Sequence, residues 1–379
     1  MKRILSCIIC ILLTIQVPFV VFADDDAEKS KIKAKSVILM ATDTKDVLYK
    51  ENELEHLSPA SVTKIMSILL CLEALDSGKI KLTDKVTASK NAVAMGGSQI
   101  WLEEGEIMTV DELLKAVVIA SANDACTALG EHIAGSDVAF VKMMNDKVKE
   151  LGLKNTNFEN CTGLDDTTKA HYSCAYDLAV ISSEVMKYDL IKDYSTIWLD
   201  SLRGGKTELN NTNKLVKSYK GITGLKTGTT SNAGFCVSAT ASRDGLNLVA
   251  VVLGSDTSEH RFQTAEYLLD KGFAEYSCKK IKIDKNKLIP VKVNNGKQKS
   301  IIPSFSDTQN IVLPKDNSKL KYDFKIKKEV KAPVKKGDSI GKVKVICNGK
   351  TVKVIPLYAD RDVDKVNFMY IFLNIIKYI

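Results

Sequence analysis

The spacing of hydrophobic residues divides most of the 379-residue chain into alternating strands and helices. Short apolar runs at 36–40 and 47–49 predict two strands joined by a polar turn. After the turn residues 58–60, apolar positions recur with a helical period until Gly78, which predicts a helix of about 17 residues. The same helical period returns in three later segments, at 110–133, 138–151 and 261–273.

Two continuous apolar runs, 235–241 and 246–253, precede the last of these helices. They are separated by Asp244 and Gly245, a dipeptide that favours the tight turn of a β-hairpin. Elements in this order predict a mixed chain of helices and strands. We expect this first domain to occupy 35–276.

A different composition begins near the end of that domain. Residues 279–358 are rich in lysine and contain short alternating runs, at 281–283, 291–293 and 343–346, broken by Asn-Gly and Lys-Gly turns. We therefore expect a small, separate C-terminal β-domain.

The last segment, 363–379, is strongly apolar and has one polar stripe. The residues of the stripe are spaced for one side of a helix: Asn367, Tyr370, Asn374 and Lys377. Such an amphipathic helix is suited to lying in a membrane interface, although a terminal helix packed on a core has the same pattern. We expect it to attach the protein to a membrane.

Residues 1–23 are typical of a secretory signal. Lys2 and Arg3 precede a long apolar run, and a plausible cleavage sequence ends at Ala23. An uncleaved membrane anchor is the alternative. Both interpretations predict an exported protein, outside the cytoplasmic membrane, in which the polar residues 24–34 form a flexible leader.

Composition narrows the classes of function. The 54 Lys and Arg residues are spread along the chain against 46 Asp and Glu, unlike the basic patch of a nucleic-acid-binding protein. Seven of the nine cysteines follow the predicted signal, and none of the seven has C-x-x-C spacing. They are small buried hydrophobes, or one pair, for instance Cys161 and Cys174, forms a disulfide. Nothing in the sequence predicts a metal or an organic cofactor.

The motifs favour serine chemistry with a lysine base. The chain has 4 histidines and lacks both G-x-S-x-G and H-E-x-x-H. Ser61 and Lys64 form an S-x-x-K motif at a helix start, on one helical face, where backbone N–H groups favour an oxyanion. This motif alone is weak, because it also arises by chance in a lysine-rich chain.

Two further motifs strengthen the interpretation. S-x-N stands at 121–123, at a helix end or loop, and K-T-G stands at 226–228, where we expect the first of the paired apolar strands to begin. S-x-x-K, S-x-N and K-T-G in this order are the signature of penicillin-binding proteins and serine β-lactamases.

The motifs predict a separate role for each of these residues in acyl transfer. Ser61 is the nucleophile, and Lys64 in its neutral form is the base. A second cation at Lys226 lowers the pKa of Lys64. Ser121 passes a proton between Lys64 and the leaving amine, and Asn123 holds Lys64 and the substrate amide.

The K-T-G strand is the predicted substrate site. Lys226 and Thr227 offer a cation and a hydroxyl to a terminal carboxylate. Gly228 leaves room for an extended peptide along the strand edge. The backbone N–H groups of Ser61 and Thr229 form the oxyanion hole.

Residues 58–66 resemble the nucleophile segment of the low-molecular-mass D,D-carboxypeptidases, serine peptidase family S11. The resemblance covers roughly 34–275 and includes 98–102, 121–125, 163–165, 171–179 and 211–213. It implies an α/β (α+β) fold, a β-lactamase/transpeptidase-like catalytic domain with an antiparallel sheet flanked by helices. It also implies removal of the terminal D-alanine from peptidoglycan pentapeptides and covalent inhibition by β-lactams. The C-terminal β-domain and the amphipathic helix also fit this family. Thr229 and Thr212 stand where some relatives have histidine and arginine, so a role of that arginine in deacylation is not carried over.

Three alternatives use the same motifs. A D,D-endopeptidase or transpeptidase would use the same residues. A class A β-lactamase is disfavoured, because residue 122 is alanine and the loop 163–168 has no glutamate to activate water. A catalytically silent cell-wall-binding protein would not need the complete set of motifs.

Overall fold

The computed structural model describes residues 31–166, 168–305, 310–315 and 319–376. The predicted signal at 1–23 and the leader up to residue 30 lie outside the described residues. At the end of the predicted leader, Ile32 and Ala34 pack against a buried core, and the Lys33 N–H group donates to Thr264 Oγ1.

The first part of the chain forms a central sheet with helices on both faces. The strands of this part of the chain are β1 (Ser36–Ala41), β2 (Val47–Glu51), β3 (Lys85–Thr87), β4 (Ile107–Thr109), β5 (Leu199–Leu202), β6 (Thr207–Asn210), β7 (Ile222–Thr230), β8 (Gly234–Arg243) and β9 (Leu246–Ser255). Its helices are α1 (Lys64–Asp76), α2 (Lys90–Val93), α3 (Val110–Lys115), α4 (Asn123–Ala134), α5 (Asp137–Glu150), α6 (Ala175–Val185), α7 (Asp189–Ser195), α8 (Leu215–Ser218) and α9 (Ser258–Glu275).

The central sheet is antiparallel, in the order β2-β1-β9-β8-β7. Successive side chains of β1 enter two different cores. Ile38 and Met40 pack in the core that includes α1, α4 and α6, whereas Val37 and Leu39 pack in the core that includes α9. Because both faces of the sheet are buried, its central strands are mostly apolar. The predicted fold class is confirmed.

The β8–β9 hairpin forms where the sequence predicts it. Arg243 pairs with Leu246, and the two residues between them have positive φ, 51° at Asp244 and 76° at Gly245. Positive φ at both central positions is the geometry of a type I′ turn, which suits the twist of the two strands. This turn brings β8 and β9 together at the centre of the sheet.

The helical pattern over 110–133 is divided between two helices, and the S-x-N motif at 121–123 lies at the break between them, as expected for a helix end or loop. Helix α3 continues as a π-helical stretch, Ala116–Ala120, and the chain then turns at Ser121, which has a left-handed φ of 63°. A new helix begins at Asn123, whose N–H group donates to Ser98 O at 2.7 Å. Both helices contribute to the same hydrophobic core, so the helical spacing of apolar residues continues across the break. The spacing alone therefore does not show where one helix ends and the next begins.

Two smaller expectations also change. The predicted helix after 58–60 begins as a 3-10 turn, Ala60–Thr63, and becomes α-helical at Lys64. The K-T-G motif does not begin a strand of the β8–β9 hairpin. It lies inside β7, a separate edge strand that pairs with β8.

The C-terminal region consists mainly of short strands around two small cores. The strands are β10 (Tyr276–Lys280), β11 (Val291–Asn294), β12 (Ser300–Ile301), β13 (Pro303–Ser304), β14 (Asn310–Pro314), β15 (Leu320–Ile326), β16 (Glu329–Lys331), β17 (Ser339–Cys347) and β18 (Lys350–Ala359). The predicted β-domain is confirmed, including strands at 291–293 and 343–346. The strand predicted at 281–283 is wrong, because β10 ends at Lys280 and no strand covers those residues.

A last helix, α10 (Phe368–Ile376), follows this domain. Asn367 Oδ1 accepts a hydrogen bond from the Tyr370 N–H group at the start of the helix, at 2.9 Å. Residues 377–379 of the predicted amphipathic segment lie outside the described residues. Among the helices that are described, none combines the length and the apolar character needed to cross a bilayer.

The cysteines of the described residues are free thiols. Six of them are buried, and Cys278 is half-buried. Cys161 and Cys174 are therefore separate buried side chains rather than a disulfide. This agrees with the interpretation of the cysteines as small hydrophobes.

Candidate active site

Ser61 and Lys64 meet at the start of α1. Ser61 lies in the 3-10 turn Ala60–Thr63, and Lys64 is the first α-helical residue. The Lys64 amine donates to Ser61 Oγ at 2.8 Å and to the carbonyl oxygen of Thr162, also at 2.8 Å. Lys64 is fully buried. The structure thus holds the buried Lys64 amine in direct contact with the hydroxyl of the half-buried Ser61.

Burial sets the electrostatics of this contact. It lowers the pKa of Lys64 to about 8, against smaller opposite effects of Cys126, Cys161 and Asp124. Lys226 is also fully buried, and its pKa lies well below its usual value, first because of burial and then because of the charge on Lys64. Desolvation, rather than the second lysine, is therefore the main reason why Lys64 is readily deprotonated.

The edge strand β7 packs directly on the nucleophile turn at Gly228. A methyl group at this position would lie 2.8 Å from Ser61 N, and 2.9 Å from both Val62 N and Pro59 O. These are backbone atoms, which have little freedom to move aside. The sequence predicts glycine here as room for a substrate, and the structure adds that glycine lets the strand approach Ser61.

Ser121 and Asn123 lie at the break between α3 and α4. Ser121 is only 4% exposed and has a left-handed backbone. Asn123 Nδ2 donates to Gly96 O at 2.6 Å, and its Oδ1 is buried without a hydrogen-bond partner in the described part of the chain. The amide of Asn123 thus bonds to the segment around Ser98 and not to Lys64. Its oxygen is a buried acceptor that no donor among the described residues satisfies.

The polar groups of the K-T-G strand are held by their neighbours. The Thr227 hydroxyl donates to Thr212 Oγ1 at 2.7 Å, and Lys226 Nζ donates to Thr227 O at 3.0 Å. The Thr229 hydroxyl donates to Gly228 O at 2.7 Å. Lys226 and Thr227 are buried, so the strand presents a fixed arrangement rather than mobile surface side chains.

This geometry agrees with the comparisons with known proteins. The model of the D-alanyl-D-alanine carboxypeptidase family, peptidase family S11, matches residues 23–257. The chain belongs to this family. A second model, the C-terminal domain of penicillin-binding protein 5, matches residues 276–365. The resemblance to this family, based on the motifs, is confirmed. The predicted class of enzyme, a serine-type D-alanyl-D-alanine carboxypeptidase, is confirmed with it.

Relatives match over nearly the whole chain. D-alanyl-D-alanine carboxypeptidase DacF of Bacillus subtilis is 42% identical over 377 residues, which are 97% of this chain and 96% of that protein. The crystal structure of penicillin-binding protein 5 from Haemophilus influenzae is 32% identical with a TM-score of 0.80, and the match covers 88% of this chain and 98% of that one. Penicillin-binding protein D2 from Listeria monocytogenes, in an ampicillin-bound form, is 30% identical with a TM-score of 0.59, covering 64% and 98% of the two chains.

The structure adds to the candidate site one residue that the sequence analysis did not predict. Arg261, at the start of α9, is 7% exposed. Its Nη1 donates to Gly228 O at 3.0 Å, to Thr229 Oγ1 at 3.0 Å and to Cys236 O at 3.2 Å. Burial lowers the pKa of the guanidinium to about 10, so the group stays positive at neutral pH. It places a buried positive charge behind the K-T-G strand.

A signal for Arg261 is present in the sequence. The chain has few arginines among many lysines. Arg261 also stands four and seven residues before Ala265 and Leu268, on the apolar stripe of the closing helix. A charge at a core position of a helix indicates a partner, because a buried charge without one is costly. The pattern could therefore have identified Arg261, although not its contacts.

The loop 159–171 covers the nucleophile turn from the other side; residue 167 lies outside the described residues. Gly163 has a positive φ of 84°, and a methyl group there would lie 1.8 Å from Ala60 O. Glycine is therefore required both by the conformation and by the close approach. This contact places Thr162 O next to Lys64.

Asp165 connects the same loop to the two neighbouring segments. Its Oδ2 accepts hydrogen bonds from Ser58 Oγ at 3.2 Å and from the Thr230 hydroxyl at the end of β7. One carboxylate thus joins the loop, the segment before the nucleophile and the K-T-G strand. The resemblance identified this loop, and the contacts show how it is attached.

Proposed function

We propose that this protein removes the terminal D-alanine from peptidoglycan pentapeptide stems through an acyl-enzyme on Ser61. The observation that supports this most directly is the buried Lys64 amine, 2.8 Å from Ser61 Oγ. A lysine in this setting can act as the base that a serine nucleophile needs. The adjacent edge strand β7 can pair with an extended peptide.

Acylation follows from the positions of these groups. Neutral Lys64 accepts the proton of Ser61, and Oγ attacks the carbonyl carbon of the penultimate D-alanine. The N–H groups of Ser61 and Thr229 stabilise the oxyanion. Ser121 passes the proton from Lys64 to the amide nitrogen as the C–N bond breaks. D-Alanine leaves as the free amino acid, and water then hydrolyses the ester and restores Ser61.

Substrate recognition rests on the carboxylate at the end of the stem. On binding, the Thr227 and Thr229 hydroxyls exchange their present acceptors, Thr212 Oγ1 and Gly228 O, for the carboxylate. Lys226 offers its amine to the same carboxylate, and Arg261 places a positive charge behind the strand. Gly228 leaves the strand edge open to the peptide backbone. Asn123 Oδ1, which has no hydrogen-bond partner in the described structure, is available to the N–H of the stem peptide.

The setting that we propose is extracytoplasmic, at the membrane and the cell wall. The secretory signal at 1–23 supports export. The helix α10 supports attachment to the membrane surface, because it exposes large apolar side chains, among them Phe368 at 80% and Met369 at 59%. The anchoring segment 363–379 would then lie at the membrane. The β-domain at 279–358 would connect it to the catalytic residues within 35–276.

Labelled penicillin and mass spectrometry test the proposal. A long-lived adduct on the peptide that contains Ser61, together with release of D-alanine from a pentapeptide, is the expected result. Ser61→Ala should abolish both. Rapid turnover of penicillin would identify a β-lactamase instead, and transfer of the acyl group to an added amine would identify a transpeptidase.

A further inference from the structure

His171 is a buried histidine whose two ring nitrogens are both hydrogen-bonded. Nδ1 accepts from the Glu159 N–H group at 3.0 Å, and Nε2 lies 2.8 Å from Thr63 Oγ1. A backbone N–H can only donate, so Nδ1 has no proton in this arrangement. Nε2 therefore has the proton and donates it to the Thr63 hydroxyl. Burial lowers the pKa of His171 to about 4, which keeps the ring neutral at physiological pH.

The first of these contacts closes the base of the loop 159–171. The carboxylate of Glu159 also accepts from the N–H groups of Lys169, at 2.7 Å, and Ala170, at 2.9 Å. The two ends of the loop are thus joined to each other. Thr162, which accepts a hydrogen bond from Lys64, lies within this closed segment.

The second contact joins that base to the nucleophile turn. Thr63 is the last residue of the 3-10 turn, between Ser61 and Lys64. The turn begins at Pro59 without a side-chain cap, so its own sequence provides little to fix it. Because Thr63 is fully buried, the hydrogen bond to His171 is not exchanged with water.

We propose that His171 is a positioning residue for acylation, which holds the Ser61 turn and the Thr162 carbonyl in register on either side of Lys64. The hydrogen bonds of His171 go to Thr63 and Glu159, so it acts on Ser61 and Lys64 through the turn and the loop. This inference rests on the proposed function. Loss of the Thr63 contact lets the turn and the loop separate, so that Lys64 keeps one partner at the expense of the other.

Variants of Thr63 test the contact. Thr63→Val removes the hydroxyl at nearly constant volume, and Thr63→Ser retains it. We expect Thr63→Val to lower the acylation rate constant for a fluorescent penicillin about tenfold, with KM for a D-alanyl-D-alanine peptide changed much less. Thr63→Ser should restore most of the rate. Thr264→Val, which removes a buried hydroxyl that bonds to Lys33 N, is the matched control and should acylate normally.

Variants of His171 test the same bond from the other side. His171→Asn places an acceptor near the position of Nδ1 and removes the donor to Thr63, whereas His171→Gln places a donor near the position of Nε2. We expect the asparagine variant to be slow and the glutamine variant to be faster. The double variant Thr63→Val with His171→Asn should be no slower than the slower of the two single variants. The reason is that the two substitutions remove the same hydrogen bond, so their effects do not add.

The pH profile distinguishes positioning from general loss of stability. A loosened loop admits water to Lys64, which lies near Cys126, Cys161, Asp124 and Lys226. Desolvation then weakens, and the pH at which acylation reaches half of its maximum should rise in Thr63→Val. An unchanged profile with a rate equal to that of Thr264→Val overturns the inference. Failure of the wild-type protein to form any adduct would instead overturn the proposed function.

Discussion

The carbonyl oxygen of Gly228 accepts a hydrogen bond from Arg261 Nη1 at 3.0 Å, across 33 positions of sequence. The same nitrogen donates to Thr229 Oγ1 and to Cys236 O. The closing helix α9 therefore holds the K-T-G strand from behind, on the side away from the nucleophile turn. The strand lies between this arginine and Ser61.

Replacing Arg261 with methionine should impair acylation and destabilise the fold. The variant keeps most of the volume but removes the charged donor from Gly228 O and Cys236 O, while Gly228 O keeps its hydrogen bond from the Thr229 hydroxyl. Loss of a donor to a buried carbonyl costs about 1–3 kcal/mol. We expect an acylation rate lowered at least tenfold and a lower melting temperature. Arg243→Met, which removes the arginine that pairs with Asp270, is the control and should lose some stability only. Normal acylation by Arg261→Met would contradict the role assigned to the residue.

Gly228→Ala should almost abolish acylation in a folded protein. The added methyl group would approach Ser61 N and Val62 N within 2.9 Å, so the strand and the nucleophile turn must separate. Acylation by penicillin, with circular dichroism to verify folding, measures the effect. Gly78→Ala is the matched control. Its methyl group meets nothing within 4 Å, and its positive φ makes alanine cost about 1 kcal/mol of stability without affecting the site. Equal rates for the two variants would argue against close packing at Gly228.

The acylation rate should rise with pH through about 8. Lys64 acts as a base only when it is neutral, and burial lowers its pKa to about 8, so the active fraction increases as the pH passes that value. Acylation measured at saturating penicillin between about pH 6 and about pH 10 gives the profile. Lys64→Met should remove the pH-dependent activity altogether. A rate that falls over this range would exclude the neutral lysine as the base.

The stability of the fold should decrease in acid partly because of His171. Burial lowers its pKa from 6.5 to about 4, so between these values the unfolded chain binds a proton that the folded protein does not. The difference corresponds to about 3 kcal/mol of unfolding free energy, present above the unfolded pKa and lost as the pH falls towards the folded one. Chemical denaturation at about pH 7 and about pH 4.5 measures it. His171→Gln should lose less stability over this interval, and an equal loss would contradict the assignment.

Removal of residues 367–379 should abolish binding to lipid vesicles and leave acylation unchanged. The helix α10 exposes large apolar side chains, including Phe368 and Ile376, whereas Val363 and Val366 are hydrogen-bonded to the β-domain and would remain. Cosedimentation of the chain without its signal with phospholipid vesicles measures binding. Phe368→Asp is a milder variant that should weaken binding several-fold. Binding by the truncated protein would place the membrane contact elsewhere.

Local features of this protein follow from the sequence alone. The Ser61–Lys64 contact needs only a helical start and a spacing of three residues. The β8–β9 turn needs only Asp244 and Gly245, since these residues tolerate positive φ. The order of the three motifs is sufficient to indicate the family and the chemistry, because each motif is a short segment whose residue types are set by its own function.

Other features depend on packing between distant segments. The break at Ser121 is invisible in the hydrophobic period, because residues on both sides of it are buried in one core. Thr162, His171 and Arg261 enter the site only after the loop and the closing helix dock on the sheet. The pKa of Lys64 also requires the folded structure, since its main cause is the removal of water and not the neighbouring charge that the sequence suggested. Periodicity and spacing report interactions within a few residues, whereas burial and register across the site are properties of the assembled chain.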